Sequence, residues 1–368
     1  MDSMMGVINL DSELDLLNEL TYFRCGAAVP FGGRYRLIDF VLSNMTNAKV
    51  GDIAVFTRRK YRSLMDHLGT GAAWDLDRKR GGLFILPPDW NDPSDISQGD
   101  LQHFHNNRDF FDRAISQYVL ITGSQNVANI DYNQAFKYHI ETGADVTVIY
   151  KPVPNLAEEH KQCHKIEMDN TGRITAITND HSNHYVSLDT IIIHKKLLMD
   201  IVDHCIARRM DNFFRDGIIQ NLDQLKVMGY SYHGYLAVIN SIESYYKHSM
   251  SLLDPKIYRN LFFKENLIYT KVKDEPPAKY LKNSSVKNSL IANGCVIEGT
   301  VENSILFRGV HVEKGTTIRN SIVMQRCDIK ENSLLENVIL DKDVVLSVDR
   351  TLVGCSEQPY VVAKRKVI

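Results

Sequence analysis

The segment 301–346 reads VENSILFRGVHVEKGTTIRNSIVMQRCDIKENSLLENVILDKDVVL, and aliphatic residues recur along it at a fixed step of 17 positions. Val301 is followed at this step by Ile318 and then by Leu335. Two further series keep the same step, from Val310 through Cys327 to Val344 and from Val312 through Ile329 to Leu346. A fixed period of single aliphatics separated by small polar residues is the pattern of a stacked solenoid.

Polar corners recur with the same step. They begin, at spacings of 15, 17 and 17 residues, at Asn288, Asn303, Asn320 and Asn337. A coil of about 17 to 18 residues fits three six-residue faces, so we predict a triangular parallel β-helix over 283–368. We expect its Val and Ile side chains, Ile322 among them, to point inward. An amphipathic α-helix would need a period of 3.6 residues, and corners such as Asn293-Gly294 disfavour it.

Residues 1–253 alternate short apolar runs with helical patterns. The runs that predict buried strands are rich in Val and Ile and cover 52–57, 118–122, 146–149 and 190–193. The clearest helical face carries Ile242, Tyr245, Tyr246 and Leu253. Strands that alternate with helices predict a doubly wound α/β domain, with a largely parallel sheet and helices on both faces.

Residues 254–282 separate the two patterns. This segment contains Pro255, Pro276 and Pro277, and it is predicted to be a linker. A chain of 368 residues is long enough for two domains. The predicted organisation is therefore a domain over 1–253, a linker over 254–282 and a β-helix over 283–368.

The composition excludes several classes of protein. Lys and Arg number 43 and Asp and Glu number 45, and this balance argues against a nucleic-acid partner. No run of about 18 apolar residues is present, so we expect no membrane span. The first residues carry acids and lack the basic start of a secretory signal. We therefore expect a cytoplasmic protein.

The cysteines and histidines do not form a metal-binding pattern. The six cysteines are scattered and include no C-x-x-C pair, so neither a disulfide framework nor a structural zinc site is predicted. The densest candidate ligands are His160, Cys163 and His164. No second ligand cluster lies in register with them, and we interpret them as part of a polar surface segment.

The loops that follow the predicted strands carry few of the groups that phosphate chemistry needs. The stretch after Met5–Ile8 contains Asp11, Glu13 and Asp15 but no Gly or Lys, and these acids would repel a triphosphate. We predict that a helix begins there, capped by Asp11 or Ser12. After 118–122 no acid that could hold Mg²⁺ occurs before Asp131.

Three blocks of sequence carry a family resemblance. AVPFGGRYRLIDF spans 28–40, WDLDR spans 74–78 and GGLFILPP spans 81–88. They resemble segments of bacterial ADP-glucose pyrophosphorylase (glucose-1-phosphate adenylyltransferase), and the resemblance extends over nearly the whole chain. It implies a Rossmann-like nucleotidyltransferase domain of the GT-A type, followed by a left-handed parallel β-helix and assembled as a tetramer.

The departures from that family fall on its catalytic motifs. The two aspartates that hold Mg²⁺ in the family are Gln125 and Val238 here. The phosphate loop is replaced by the acidic stretch, and two lysines are absent from the segments 24–27 and 179–181. Adenylyl transfer depends on Mg²⁺ and on cations that neutralise the phosphates. The pattern resembles the GlgD-type regulatory subunits of this family, so we expect no catalytic residue and no bound metal in this chain.

This resemblance also implies partners. We expect a hetero-oligomer, in the form of a heterotetramer, with a catalytic subunit that binds Mg²⁺ and makes ADP-glucose for glycogen biosynthesis. A homo-oligomer is a further possibility, and a phosphorylated metabolite is the expected effector. The candidate residues for the effector, or anion, site are Arg34, Arg36, Lys60, Arg308 and His311. The competing interpretation is that each is surface charge or belongs to an interdomain ion pair.

Two other functions remain open from the sequence. The chain could be a weakly active adenylyltransferase with a rearranged site that uses another carboxylate, such as Asp131. It could also be a stand-alone module that binds a sugar phosphate or a nucleotide. A metal-dependent activity assay separates the first alternative from the regulatory subunit, and co-purification with a catalytic partner separates the second.

Overall fold

The computed structural model describes residues 3–11, 13, 16–57, 59–88, 99–264 and 266–368. Ser12 and Asp15 of the acidic stretch lie outside these residues. The strands of the first half are β1 (Met4–Asn9), β2 (Pro30–Phe31), β3 (Tyr35–Arg36), β4 (Asp52–Phe56), β5 (Gly82–Leu86), β6 (Tyr118–Thr122), β7 (Asn126–Ala128), β8 (Val146–Pro152), β9 (Lys165–Met168), β10 (Ile174–Thr178), β11 (Tyr185–His194), β12 (Val227–Ser231) and β13 (Leu236–Val238). The described α-helices are α1 (Leu37–Asn47), α2 (Arg62–Leu68), α3 (Asp100–Asn106), α4 (Arg108–Arg113), α5 (Tyr132–Thr142), α6 (Lys195–Ala207), α7 (Ile242–Ser251) and α8 (Pro255–Phe263).

In the described part of the first half, nine strands form one mixed sheet. Strands β6, β1, β4 and β5 lie side by side and are parallel. Strand β11 lies between β6 and β8 and is antiparallel to both, so the expectation of a largely parallel sheet is wrong at this strand. The reason is that β11 follows the β9–β10 hairpin rather than a crossover helix. The four predicted buried strands are confirmed as parts of β4, β6, β8 and β11, although β4 ends at Phe56, one residue before the predicted end.

Apolar side chains cover both faces of this sheet. Helix α1 packs Ile38 and Leu42 against one face, whereas α3 and α6 pack Phe104 and Val202 against the other. Each such side chain contributes about 1.5–3 kcal/mol when it is fully buried. The prediction of an α/β domain with helices on both faces is therefore confirmed.

Helix α7 begins where the sequence pattern predicted a helical face. The Ser241 Oγ atom accepts a hydrogen bond from the Ser244 N–H at 3.0 Å and caps its first turn. Ile242, Tyr245 and Tyr246 are buried as predicted. Leu253 lies beyond the end of the helix at Ser251.

The acidic stretch after β1 does not begin a helix. Asp11 lies in a bend, Glu13 has no regular secondary structure, and the first helical turn among the described residues is a 3-10 turn at Asn18–Thr21. The predicted helix start at Asp11 is therefore wrong. Its acids make tertiary contacts instead, since the Asp11 carboxylate lies 3.9 Å from the His103 ring and Glu13 reaches the turn after β6.

The segment 254–282 contains a packed helix. Asp254 caps α8, and Pro255 occupies its first turn, where a missing N–H costs nothing. Leu261 and Phe262 on this helix are buried. The segment is therefore held against the first half through part of its length, and its end already pairs with the β-helix at Lys279–Tyr280.

The last part of the chain forms three parallel five-stranded sheets, which is the arrangement of the expected left-handed β-helix. Its strands are β14 (Lys279–Tyr280), β15 (Ser285–Lys287), β16 (Leu290–Ile291), β17 (Val296–Ile297), β18 (Thr300–Glu302), β19 (Ile305–Leu306), β20 (His311–Val312), β21 (Thr317–Arg319), β22 (Ile322–Val323), β23 (Asp328–Ile329), β24 (Leu334–Glu336), β25 (Val338–Leu340), β26 (Val345–Leu346), β27 (Thr351–Val353) and β28 (Tyr360–Val362). Val301, Ile318 and Leu335 are paired in register and fully buried, as predicted.

The asparagine corners adopt the left-handed backbone conformation. The φ angles are 46° at Asn303, 45° at Asn320 and 53° at Asn337, in the region that Asn tolerates better than other non-glycine residues. Ser304 and Ser321, which follow the first two, continue the stack, because the Ser321 N–H donates to Ser304 Oγ and the Val338 N–H donates to Ser321 Oγ, each at 3.1 Å. The corners therefore stack from one coil to the next.

One face of the β-helix is buried against the first half. Ile322 belongs to the apolar cluster that includes Tyr245 and Phe262, whereas its neighbour Val323 lies in the interior of the β-helix. The expectation that Ile322 points inward is therefore wrong. Both residues of β22 are buried, because one side of this strand faces the coil interior and the other faces the first half.

No helix among the described residues is long and apolar enough to cross a membrane.

Candidate functional site

A cleft of about 180 Å³ lies at the carboxyl ends of β1 and β6, where a sheet of this type binds ligands. Asn9, at the end of β1, and Thr122, at the end of β6, line it, together with Gln125 from the turn that follows. Phe213 and Phe214 form an apolar part of its wall. Its polar lining is therefore dominated by amides and carboxyls.

The two positions that hold metal-binding aspartates in the resembled family are neighbours in the structure. Gln125 lines the cleft, and its carbonyl accepts a hydrogen bond from Ile239 N–H at 2.9 Å. Val238 lies on β13 opposite Asn126 of β7 and is 3% exposed. The fold therefore brings the two positions together, but they supply a neutral amide and a hydrocarbon.

These side chains do not fit Mg²⁺, which prefers carboxylate and water oxygens. Val238 has no ligand atom, and Gln125 carries no charge. Among the described residues, no group of three or more His, Cys, Asp or Glu side chains is arranged to hold a metal ion.

Glu13, from the acidic stretch, occupies the turn next to Gln125. Its carboxylate accepts hydrogen bonds from the Ser124 N–H and, at 3.0 Å, from the Ser124 hydroxyl. Burial raises the pKa of Glu13 to about 7, against the lowering effect of the hydrogen bonds from Ser124 and the Gln125 backbone. A carboxylate of this chain thus lies where an anionic ligand would approach the turn.

Asp100 links three segments around the cleft. It accepts hydrogen bonds of 2.8 Å from Asn9 Nδ2 and from the Phe213 N–H. Burial raises the pKa of Asp100 to about 6. Its hydrogen bonds hold the end of β1 against the loop at Phe213, so its role in the structure is to fix the cleft wall.

The structure brings together two of the five candidate effector residues, Arg34 and Arg308. Both line a pocket of about 310 Å³ between the 32–34 turn and the first β-helix coil. Arg308 Nη2 donates to the Arg34 carbonyl at 2.9 Å. Lys271 and Lys273 line the same pocket, so four cationic residues surround it.

Arg36 lies apart from Arg34 in a different environment. Its Nη1 atom donates to the Ser63 carbonyl at 2.6 Å and to the Ser63 hydroxyl at 3.1 Å. Burial lowers the pKa of Arg36 to about 10. Arg34 lies in the turn before β3 and lines the pocket, whereas Arg36 belongs to β3 and contacts Ser63.

The sequence analysis missed three cationic residues around Arg36 and its neighbour Arg24. Arg24 and Asp341 form a buried ion pair between the first half and the β-helix, and Arg24 Nη1 is buried without a hydrogen-bond partner. Burial, together with Arg36 and Arg24, lowers the pKa of Lys342 to about 6. Lys364 also has a lowered pKa, first from burial and then from Arg365 and Arg24.

Arg24, Arg36, Lys342 and Lys364 are called the interdomain cation cluster below. Only Arg36 could be selected from the sequence, because it belongs to a family block. The other three residues lie far from it in the sequence, and nothing in the sequence indicated that they would meet.

Lys60 and His311 are exposed and do not line the Arg34–Arg308 pocket. Lys60 adopts a φ of 53° in the turn before α2, and its carbonyl accepts a hydrogen bond from the Cys25 N–H. His311 lies on β20 beside Asp328 of the next coil. The structure therefore leaves these two residues outside the pocket that Arg34 and Arg308 share.

His160, Cys163 and His164 each have separate partners. His160 Nδ1 accepts from the Ala157 N–H at 2.9 Å, and the Cys163 thiol lies 3.5 Å from the Glu159 carbonyl. His164 Nδ1 lies 3.1 Å from the Asp189 carboxylate. Each of the three side chains is therefore held by a different neighbouring group.

The fold and the cleft together define a nucleotidyltransferase-type chain with a C-terminal hexapeptide β-helix. The nucleotidyl transferase family matches residues 16–179, and the GlmU-like C-terminal hexapeptide family matches residues 276–359. The glycogen biosynthesis protein GlgD of Bacillus subtilis (strain 168) is 41% identical over 363 residues, which cover 99% of this chain and 96% of the relative.

Two further comparisons agree. The GlgD protein of Geobacillus stearothermophilus is 41% identical over an alignment that covers 100% of this chain and 97% of the relative. The glucose-1-phosphate adenylyltransferase of Bacillus mycoides (strain KBAB4) is 30% identical, with 92% of this chain and 91% of the relative covered. The chain belongs to the family that contains the GlgD proteins and glucose-1-phosphate adenylyltransferase.

Proposed function

We propose that this chain is a non-catalytic regulatory subunit of glucose-1-phosphate adenylyltransferase and supports the formation of ADP-glucose for glycogen biosynthesis. The observation that carries the proposal is the pair of neighbouring positions where the resembled family has its metal-binding aspartates, which are Gln125, lining the cleft, and Val238, buried on β13. The printed names of the GlgD relatives support the connection to glycogen biosynthesis.

The chemistry of adenylyl transfer explains why this pair matters. The reaction needs little covalent help from the protein and depends on positioning and on neutralising the phosphate charge with metal ions and cations. Gln125 and Val238 supply no charge, and Glu13 adds a carboxylate in place of a phosphate-binding loop. Mg²⁺ would therefore bind in the catalytic partner, and the transfer step would occur there.

The regulatory part of the proposal rests on the interdomain cation cluster. Burial lowers the pKa of Lys342, and repulsion from Arg36 and Arg24 lowers it further. A phosphorylated metabolite that binds beside these cations would offset the repulsion among them. The Arg34–Arg308 pocket is a second place where an anion would be attracted. An effector changes the activity of the catalytic partner only if it binds the more active and the less active states of the complex with different affinity.

The proposed assembly is a hetero-oligomer with the catalytic subunit, in the form of a heterotetramer. The β-helix supports this, because strands β27 and β28 pair on one side only among the described residues and leave backbone groups available at the end of each sheet. The side chains of Val353 and Tyr360 on these two strands are exposed. Apolar side chains beside open strand edges favour contact with another subunit.

A mixing experiment tests the proposal. Formation of ADP-glucose is measured for this chain alone, for the catalytic subunit alone and for the mixture, and the mixture is also analysed by gel filtration. We expect no activity from this chain alone, co-elution of the two chains, and a change in the rate or the effector response of the mixture. Separate elution with unchanged kinetics would contradict the proposal.

A variant of Arg36 tests the effector site within the same experiment. Arg36→Ala is expected to weaken the response to phosphorylated metabolites without separating the complex, since it removes one cation of the cluster. Arg319→Ala is the matched control, because Arg319 is an exposed β-helix arginine that pairs with Glu302 at 3.2 Å. Loss of the complex in Arg36→Ala alone would instead identify Arg36 as a structural residue.

A further inference from the structure

The turn that follows β6 is shaped around a carboxylate. The Ser124 N–H and the Ser124 hydroxyl both donate to the Glu13 carboxylate, and the Gln125 backbone contributes a further hydrogen bond. Several donors that converge on two oxygens of one carboxylate form an anion-binding turn. The residues between Glu13 and Ser124 number more than a hundred, so chain proximity does not explain the contact.

Gly123 makes the close approach possible. A Cβ atom at this position would lie 2.9 Å from Glu13 Oε1, closer than side-chain carbons approach such an atom. The turn therefore has an open side at Gly123, and the Glu13 carboxylate fills it. Glu13 also lines the cleft, so its carboxylate forms part of the wall that a ligand would meet.

We propose that the 123–125 turn is a carboxylate-binding site and that Glu13 is its built-in ligand, which closes the degenerate cleft from within. This goes beyond the proposed function, because it concerns the chain by itself and does not depend on a catalytic partner. The class of ligand is a small carboxylate. A free carboxylate occupies the turn when the Glu13 side chain is removed.

The surroundings of the 123–125 turn favour binding of the Glu13 carboxylate over binding of a free anion. Asp100 and Asp189 line the same cleft and repel further negative charge. A tethered carboxylate overcomes this repulsion because it is already held close to the turn, whereas a free anion loses translational freedom on binding. The raised pKa of Glu13 is the expected consequence of placing a carboxyl group in this enclosed position.

Chemical rescue tests the proposal on the full chain. Glu13→Ala is expected to lower the Tm, and formate at about 0.1 M is expected to restore part of the loss, because a ligand that binds only the folded state raises its stability. Sodium chloride at equal ionic strength is the comparison for general salt effects. Glu19→Ala is the matched control, since Glu19 belongs to the adjacent 3-10 turn and does not reach Ser124.

Each outcome decides the proposal. A gain in Tm with formate that is larger in Glu13→Ala than in the parent chain and in Glu19→Ala supports it. An equal effect of formate on all three proteins, or no effect on Glu13→Ala, overturns it. A specific gain here would stand even if the mixing experiment with the catalytic subunit failed, so the two proposals fail independently.

A second variant and one measurement on the parent chain cover the case in which Glu13→Ala does not fold. Gly123→Ala places a methyl group against Glu13 Oε1 and is expected to displace the carboxylate. In the parent chain, hydrogen exchange at the Ser124 amide is expected to be slow, and in Gly123→Ala it is expected to be fast. Fast exchange at Ser124 in the parent chain overturns the proposal.

Discussion

Arg24 and Asp341 are 317 positions apart in the sequence, yet they form a buried ion pair between the two halves of the molecule. The exposed fractions of the two side chains are 2% and 0%. A charge in such a place is stabilised by its partner and by little else, because water cannot reach it. The pair is therefore one of the contacts through which the stability of each half depends on the other.

Removing one member of this pair is expected to cost far more than removing an exposed one. Asp341→Asn leaves the Arg24 guanidinium buried without its counterion, and we expect a loss of about 3–5 kcal/mol in the free energy of unfolding. Asp343→Asn, which breaks the more exposed pair with Arg326, is expected to cost about 0–1 kcal/mol. Urea denaturation of both variants measures the difference, and equal losses would contradict it.

Lys342 gives the interdomain cation cluster a measurable pH dependence. Burial, Arg36 and Arg24 lower its pKa to about 6 in the folded chain, whereas an unfolded lysine titrates at about 10.4. Between these values the unfolded chain holds one more proton at this position than the folded chain does. The contribution of Lys342 to the free energy of unfolding therefore rises with pH across that window and is lost as pH falls toward 6.

The prediction compares Lys342→Met with the parent chain. The parent is expected to gain stability, relative to Lys342→Met, as pH is raised from about 6 to about 9. Lys314→Met is the matched control for loss of a lysine, because Lys314 is exposed on the β-helix. Thermal denaturation over a pH series measures both differences, and a flat difference for Lys342→Met would be incompatible with the lowered pKa.

Residue-scale contacts were only partly predictable from the sequence. Arg34 and Arg308 were both candidate residues and line one pocket, but the separation of Arg36 from Arg34 could not be predicted from their spacing, because residues two apart on a strand point to the same side. The Arg24–Asp341 pair could not be predicted, because the sequence around either residue gives no sign of the other. The contact between Glu13 and Ser124 was hidden for the same reason.

At the scale of elements, the β-helix was the most predictable part of the chain. Its environment repeats every coil, so the sequence alone fixes which positions are equivalent, and the structure pairs Val301 with Ile318 in register. The repeat did not tell which buried side chains face the interior and which face the first half. Ile322 and Val323 are both apolar, and only the tertiary contacts distinguish them.

The acidic stretch shows the opposite case. Asp11 and Glu13 looked like residues of a helix start because carboxylates favour that position. In the folded chain they interact with His103 and Ser124, which belong to distant elements. Local signals fail where long-range contacts compete for the same side chains.

An aspartate inside the β-helix is expected to prevent its folding. Val323→Asp places a carboxylate at a position that is 0% exposed and surrounded by aliphatic side chains, where an unpaired charge costs several kcal/mol. Thr351→Asp is the matched control, because Thr351 is exposed on β27. Circular dichroism and urea denaturation should show a large loss for Val323→Asp and little change for Thr351→Asp. Comparable stability of the two variants would show that the interior has been assigned to the wrong residues.

At the scale of the whole molecule, the two halves share an apolar core. Ile305, Ile322 and Ile339 stack along one face of the β-helix and pack with residues of the first half such as Phe31 and Tyr245. This contact adds to the ion pair between the halves. The domain boundary predicted from the sequence pattern therefore does not separate two units that unfold independently.

This shared core predicts that the chain unfolds as one unit. Calorimetry is expected to show a single transition with equal calorimetric and van't Hoff enthalpies. Two pairs of substitutions on the same strands separate the interface from the interior. Ile305→Ala with Ile322→Ala empties the shared core, whereas Leu306→Ala with Val323→Ala empties the β-helix interior.

Both pairs create cavities, and each large-to-small change of this kind costs about 2–5 kcal/mol for Ile or Leu. The two pairs of substitutions differ in which contacts lose stability. The interface pair weakens the contact between the halves and is expected to split or broaden the transition, since each half then melts with less support from the other. The interior pair is expected to lower the Tm of one sharp transition. A split transition for the interior pair, together with a single sharp one for the interface pair, would show that the halves are joined elsewhere than at Ile305 and Ile322.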